Sequence, residues 1–439
     1  MKEHRIMSGL HKEMGQRAWE LLPEKFRRFW AAEAANIPEY CEFPDLHLGA
    51  QWEDPEKEAF YARYCIMENG KAAPHGPQDR EWRGTTFGDV PDPEKIYNAL
   101  GCYLKRTIDC IAAGDVTDSA RFAGTGAHVI QDCSNPGHVF NNIMLNRLFP
   151  VRGQKLIFMH RLMDSWPIDL DAVRSRPVLL GRNADEAVYY LAEKIIGNMG
   201  LISADMVKLC QAIIANRSRT ITSIMQKWNA AAIRHTLNFW HTAFVLAAGE
   251  LPSGSDRRFA ETSLADKPLI TAYDERFDRQ QYIAAGIPFY NNRYPESDPP
   301  RSTMSTNPYP FEPLINCACS SEGNLLPLQL DDGGTILTGK GVASGTYGVA
   351  TWSVPGNVFR TFEAAAGLHP ETSPDVSCTF GVWCCESTPR LLAKATTDRK
   401  KGAIRFKVAI PPECRTLSLL NAGGDGRSTA VWLDPVLKS

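Results

Sequence analysis

Long apolar runs are missing from this 439-residue chain. None approaches the roughly 18–20 residues that a membrane-crossing helix needs, so no transmembrane helix is expected. A surplus of one charge is missing too. Forty-eight Lys and Arg stand against 50 Asp and Glu, a formal charge of −2. Bulk electrostatics therefore give the chain no reason to sit on nucleic acid or on an anionic membrane, and any such contact must be local. The twelve cysteines include no Cys-x-x-Cys pair; the clusters are Cys317-Ala-Cys319 and Cys384-Cys385. That count leaves disulfides and redox compartment open. There is no internal repeat, no phosphate-cradling glycine loop and no serine-nucleophile elbow. The opening, MKEHRIMSGLHKEMGQRAW, is charged and mixed, without the apolar run of a secretory leader.

What is present is ordinary globular composition, 44% hydrophobic and 22% charged. This excludes a mainly disordered or fibrous chain, and the length suits two or three domains. Residues 1–250 read as a helical domain. In HKEMGQRAWELLPEKFRRFW, Met14, Ala18, Leu21, Leu22 and Phe26 recur at helical spacing. PEKIYNALGCYLKRTIDCIAAG, DEAVYYLAEKIIGNMG and the long stretch from ADMVKLC to FVLAAG behave likewise, each with a terminal Gly as the expected stop. Residues 251–324 read as a proline-rich connector: nine of the 29 prolines fall between 251 and 313, and proline blocks helix interiors. From 325 to 439 short β-type runs alternate with turns, as in a β-sandwich.

Only ten histidines occur, and their placement is the main chemical signal. In HVIQDCSNPGH, His128 and Asp132 stand four apart, on one face of a helix, where they can hold one metal ion. Pro136-Gly137 breaks the helix, and His138 just beyond can face a second ion. His160 and Asp164, in MHRLMD, repeat the four-residue spacing. Imidazole and carboxylate ligands of this kind suit Zn2+. His235 and His241, in an apolar helical stretch around Trp240, read as core residues.

The segment HVIQDCSNPGH resembles the H-x3-D-x3-P-x-H signature of the zinc-dependent phospholipase C and S1/P1 nuclease superfamily, with Asn135 where a Gln is usual. The resemblance covers about residues 7–250. It implies an all-helical domain with zinc ions in a cleft. His128 and Asp132 would bind the buried zinc, with Asp132 bridging to a neighbour; His138, His160 and Asp164 would hold another. Asp45, in EFPDLH, matches a further ligand that can double as general base. His75, in NGKAAPHGPQDREW, is the expected downstream ligand, with His47 as the alternative. His11, ahead of the WELLP segment, matches the N-terminal histidine ligand. The family's N-terminal Trp ligand has no counterpart ahead of Trp19, so two or three zinc ions are implied.

The C-terminal part resembles the NPCBM family of galactose-binding-like β-sandwiches, over about 325–438. The matching marks are Phe362, Gly367, the run from Cys378 to Trp383, Leu417, Leu419, Asp425, Gly426 and Trp432. Sugar binding needs aromatic faces, and Trp352, Trp383 and Trp432 are the candidates. Together the resemblances imply a zinc-dependent phosphodiester hydrolase of the phospholipase C kind, with an accessory carbohydrate-binding-like module. The alternatives are a single-strand nuclease, which Asp164 in place of the Glu of many phospholipases favours, and a non-catalytic glycan-binding protein with a degenerate metal site. The implied partners are a phospholipid or nucleotide phosphodiester and a glycan.

Overall fold

The computed structural model describes residues 10–65, 93–139, 148–151, 153–154, 158–267, 271–274, 314–320, 322–346, 348–385, 389–424 and 428–439. His75, Asp425 and Gly426 lie outside the described residues. The chain divides into two compact units, Met1–Ser255 and Asp256–Ser439. The first is helical and the second is an antiparallel β-sandwich.

The helical unit begins with α1, His11–Leu21, and α2, Glu24–Phe29. Pro23 separates them: Leu22, the residue before it, is driven into extended backbone, with ψ at 145°. The apolar spacing that runs through HKEMGQRAWELLPEKFRRFW thus spans two helices. Short α3, Ile37–Tyr40, is followed by α4, Phe43–Glu53, and α5, Pro55–Ala62. Next come α6, Pro93–Ala112, and α7, Val116–Cys133. Asp115 caps α7 by accepting from the Asp118 amide at 3.0 Å. From Ser119 onward α7 is buried almost all round. Small residues in its AGTGA run make that possible. A Cβ on Gly124 would stand 2.4 Å from Cβ of Tyr40, and one on Gly126 would stand 2.9 Å from Cβ of Tyr103. Two indoles pin the helix further: Trp30 donates to Ser119 Oγ at 2.8 Å, and Trp240 donates to the Ala123 carbonyl at 2.9 Å.

Short α8, Pro136–Val139, and α9, Phe158–Asp164, follow. Two 31-residue helices close the unit, α10 at Ala184–Ile214 and α11 at Ser218–Ala248. Gly200 was expected to stop a helix; it lies inside α10, as does Gly197. An interior Gly costs only about 1 kcal/mol, and the buried Ile195, Ile196, Met199 and Ile202 around them outweigh it. The break falls instead at 215–217, where Asn216 takes a positive φ of 52°.

In the sandwich one sheet runs, in spatial order, Ile404–Ala409, Thr361–Leu368, Thr429–Lys438, Gly341–Gly345 and Leu314–Ile315. The other runs Pro389–Asp398, Ser377–Cys385, Thr416–Ala422, Gly348–Ser353 and Thr271–Asp274. Glu261–Ser263 also pairs with Thr429–Lys438. Three strands of these two sheets therefore come from the segment expected to be a connector, and a fourth from it, Cys317–Cys319, pairs with Leu325–Pro327.

The three tryptophans expected to bind sugar need correction. Trp352, Trp383 and Trp432 are 0%, 4% and 2% exposed. Trp432 packs on Phe380 of the opposite sheet, ring centroids 5.4 Å apart, and on Phe406 at 5.1 Å. Its indole N–H donates to the buried Asn421 Oδ1 at 2.7 Å. Apolar rings in strands join the two sheets into a core, so none of the three presents a face to a ligand.

Candidate metal centre

The centre is built on the last two turns of α7. The helical spacing places His128 and Asp132 on one face, and both are fully buried. The main chain then breaks at Ser134 and Asn135, and α8 presents His138 from the other side. Nε2 of His138 lies 3.4 Å from Asp132 Oδ1 and 3.4 Å from Asp164 Oδ1. His11 enters from the first turn of α1, with Nε2 3.3 Å from Asp132 Oδ1. Nε2 of His128 lies 3.2 Å from Asp132 Oδ2.

Two groups of three ligand atoms result, each within 4.8 Å of one another: His11, Asp45 and His128; and His138, His160 and Asp164. Asp132 lies between them, its oxygens facing histidines of both groups. The structure thus brings together His11, Asp45, His128, Asp132, His138, His160 and Asp164. His47 is in neither group: that ring is buried on α4, with Nε2 3.9 Å from Glu58 Oε1.

The donor chemistry fits a cation. Asp132 is 0% exposed, yet neither oxygen accepts a hydrogen bond among the described residues. A buried carboxylate left so is costly unless positive charge faces it. The imidazoles are held from behind. Nδ1 of His128 lies 2.8 Å from the Cys41 carbonyl, and Nδ1 of His160 lies 2.9 Å from the Gly137 carbonyl. Nδ1 of His11 lies 2.8 Å from Gln131 Oε1. A backbone carbonyl oxygen only accepts, so Nδ1 of His128 and of His160 carries the proton, and Nδ1 of His11 does so while the Gln131 oxygen faces it. That leaves each Nε2 lone pair for a metal, the usual outer-shell arrangement of ligating histidine. Asn135 holds the other carboxylate: its Nδ2 donates to Asp164 Oδ1 at 3.3 Å, while its Oδ1 accepts from the Gly137 amide at 2.8 Å.

The titration of these groups reflects mutual charge. Burial opposes a charged His128, but Asp132 and Asp45 outweigh it and push its pKa up to about 10. Burial opposes a charged Asp132 as well, yet His128 and His138 hold it well below the usual carboxylate range. Asp164 falls to about 2, because the His138 imidazole beside it, 3.4 Å away, overcomes burial. His160 is lowered by burial and then by the charge of His138. By contrast, burial drives His235 down to about 3, and its Nε2 rests 2.9 Å from Asn198 Nδ2 in the helical core.

Sequence reasoning missed Gln131 and the two carbonyls behind His128 and His160. The carbonyls carry no residue-type signal. Gln131 stands next to a recognised ligand, and only its contact with a residue 120 positions away reveals it.

No protein-family model matches the chain, and no curated protein matches its sequence. Among solved structures it is similar to the alpha toxin of Clostridium absonum, at 10% identity and a TM-score of 0.26, over 93% of this chain and 84% of that one. It is also similar to the CBM51 of Clostridium perfringens GH95 in complex with methyl-galactose, at 17% identity and a TM-score of 0.28, over 40% of this chain and 99% of that one. A third likeness is to the CBM51-2 and INT domains of Clostridium perfringens ZmpB, at 14% identity and a TM-score of 0.28, over 41% of this chain and 31% of that one. The chain thus spans about a third or less of the ZmpB chains it matches.

Proposed function

We propose that the helical unit is a zinc-dependent phosphodiester hydrolase of the phospholipase C kind. The observation that carries this is Asp132: a buried carboxylate with no hydrogen bond among the described residues, set between two three-ligand groups. Zinc ions held there would act as Lewis acids, making water nucleophilic at neutral pH and offsetting phosphoryl charge. His11, Asp45, His128 and Asp132 would hold one side of the centre, and His138, His160 and Asp164 the other. Asp45 would take the proton of the attacking water on its carboxylate, so that phosphorus is attacked in line with the leaving oxygen. No side-chain nucleophile takes part. The sandwich is assigned an accessory role with a glycan as its ligand class, supported by the resemblance to galactose-binding-like modules. The three core tryptophans, being buried, would not form its platform.

The test is metal analysis of the purified protein, followed by turnover of bis-p-nitrophenyl phosphate, a phosphocholine ester and single-stranded DNA. Two or more zinc equivalents and hydrolysis of the first two substrates are expected. Cleavage of DNA without the phosphocholine ester would shift the assignment to the nuclease kind. Less than one equivalent of zinc after add-back would overturn the metal reading and favour a glycan-binding protein.

A further inference from the structure

We propose that Gln131 is a positioning residue of the metal centre: its side-chain amide sets the tautomer and orientation of His11, and so delivers His11 Nε2 to the metal beside Asp132. The inference rests on the zinc reading above and deepens it.

Gln131 precedes Asp132 on α7 and is 0% exposed. Its Oε1 lies 2.8 Å from His11 Nδ1. With Nδ1 protonated toward that oxygen, the His11 lone pair is on Nε2, 3.3 Å from Asp132 Oδ1. Stacking on His128, ring centroids 4.1 Å apart and planes at 27°, fixes the plane of the His11 ring. Stacking alone is satisfied equally by a ring turned over within that plane. The main-chain bond from the Leu10 amide to the Asp164 carbonyl, at 3.3 Å, anchors the start of α1 and leaves the ring's rotation undecided. Gln131 decides it.

His11 differs here from His128 and His160. Backbone carbonyls of Cys41 and Gly137 hold those two, and no substitution removes a carbonyl. His11 depends on a side chain. The arrangement also has a cost: Gln131 Nε2 is buried with no hydrogen-bond partner among the described residues. An unsatisfied buried donor is destabilising. An apolar residue of the same length would avoid it, and the contact with His11 accounts for an amide being there. The amide is also two-sided. Turned about, its NH2 would donate to Nδ1, and the proton of His11 would move to Nε2, facing Asp132. Gln therefore serves both the metal-holding and the metal-free tautomer, whereas a carboxylate favours only the first.

Two measurements test this. In zinc-loaded protein carrying 15N-histidine, NMR should find His11 protonated at Nδ1 and not at Nε2. A zinc-loaded His11 protonated at Nε2 would overturn the proposal without any variant. The second measurement is zinc affinity by chelator competition for Gln131→Met and Gln131→Glu. Gln131→Met should bind zinc about 10–100-fold more weakly, the usual loss when an outer-shell partner of a ligand is removed. Gln131→Glu should bind at least as tightly as the wild type. Unchanged affinity in a folded Gln131→Met would overturn the proposal. Should Gln131→Met not fold, Gln131→Glu decides: zinc affinity below that of the wild type in a folded Gln131→Glu would overturn the proposal. A wild-type protein that takes up no zinc fails the metal reading itself; a wild type that holds zinc while Gln131→Met holds it equally well fails this proposal only.

Discussion

At the scale of residues, the centre is a balance of buried charge. Asp132 has imidazoles on three sides, and a cation or protons must answer its charge. Asp132→Asn keeps the shape and removes the charge. It should lower zinc affinity and hydrolysis by more than about 100-fold, whereas His47→Ala, outside both ligand groups, should keep its zinc equivalents and most of its turnover per folded molecule. Metal analysis alongside bis-p-nitrophenyl phosphate kinetics checks both. Protons compete for the same nitrogens. In chelated protein the pKa of His128 rises from 6.5 to about 10. Its pairing with Asp132 and Asp45 therefore stabilises fully below pH 6.5 and is lost as pH climbs through 10. The melting temperature of chelated protein should fall between pH 6.5 and 9. Zinc displaces that proton, so the zinc-loaded protein should lack this fall, and its zinc affinity should rise over the same interval. Parallel melting curves of the two forms would expose an error in this account. At the acid end the sign reverses. Asp164 is lowered from 3.8 to about 2, so its contribution holds above 3.8 and is lost as pH falls through 2.

At the scale of elements, α7 illustrates how packing selects small residues. Its buried faces leave no room at Gly124, where an added Cβ meets both Cβ and the carbonyl carbon of Tyr40 within 2.8 Å. Gly124→Val should destabilise by about 2–3 kcal/mol or more, because backbone must shift. Gly101 on α6 is the control: an added Cβ meets nothing within 4 Å. Gly101→Ala should stabilise by about 0.5–1 kcal/mol through helix propensity. Urea midpoints of the two variants would decide the matter, and equal effects would contradict this packing. The same element shows what was legible in the amino-acid order. The spacing of His128 and Asp132 puts both on one face of a helix without any coordinates. Gly200 misled as a stop because local propensity is weak beside the burial of its neighbours.

At the scale of the whole molecule, the division falls at Ser255 and Asp256. Strands at Glu261–Ser263, Thr271–Asp274 and Leu314–Ile315 pair with strands between 341 and 438. A chain ending at Ser255 should keep its zinc and its turnover of a small soluble ester, and lose only binding to glycan-bearing substrates. A chain ending near residue 320 would carry those strands without their partners, as exposed edges. It should be less soluble and melt lower than the shorter one. Zinc content, light scattering and melting temperature of the two truncated chains test this. A zinc-loaded but inactive chain ending at Ser255 would show that the sandwich shapes the active site.

Amino-acid order determined what depends on neighbours in the chain: the helical and β-rich halves from their periodicity, and the faces carrying His128 with Asp132 and His160 with Asp164 from a turn of helix. Tertiary structure decided what depends on distant residues. It set His11 against Asp132 and Gln131, turned Trp352, Trp383 and Trp432 into the core, and recruited strands from a proline-rich stretch into two sheets. A helix fixes spacing over one turn, whereas burial and charge act between residues more than a hundred positions apart, and only the folded chain brings those together.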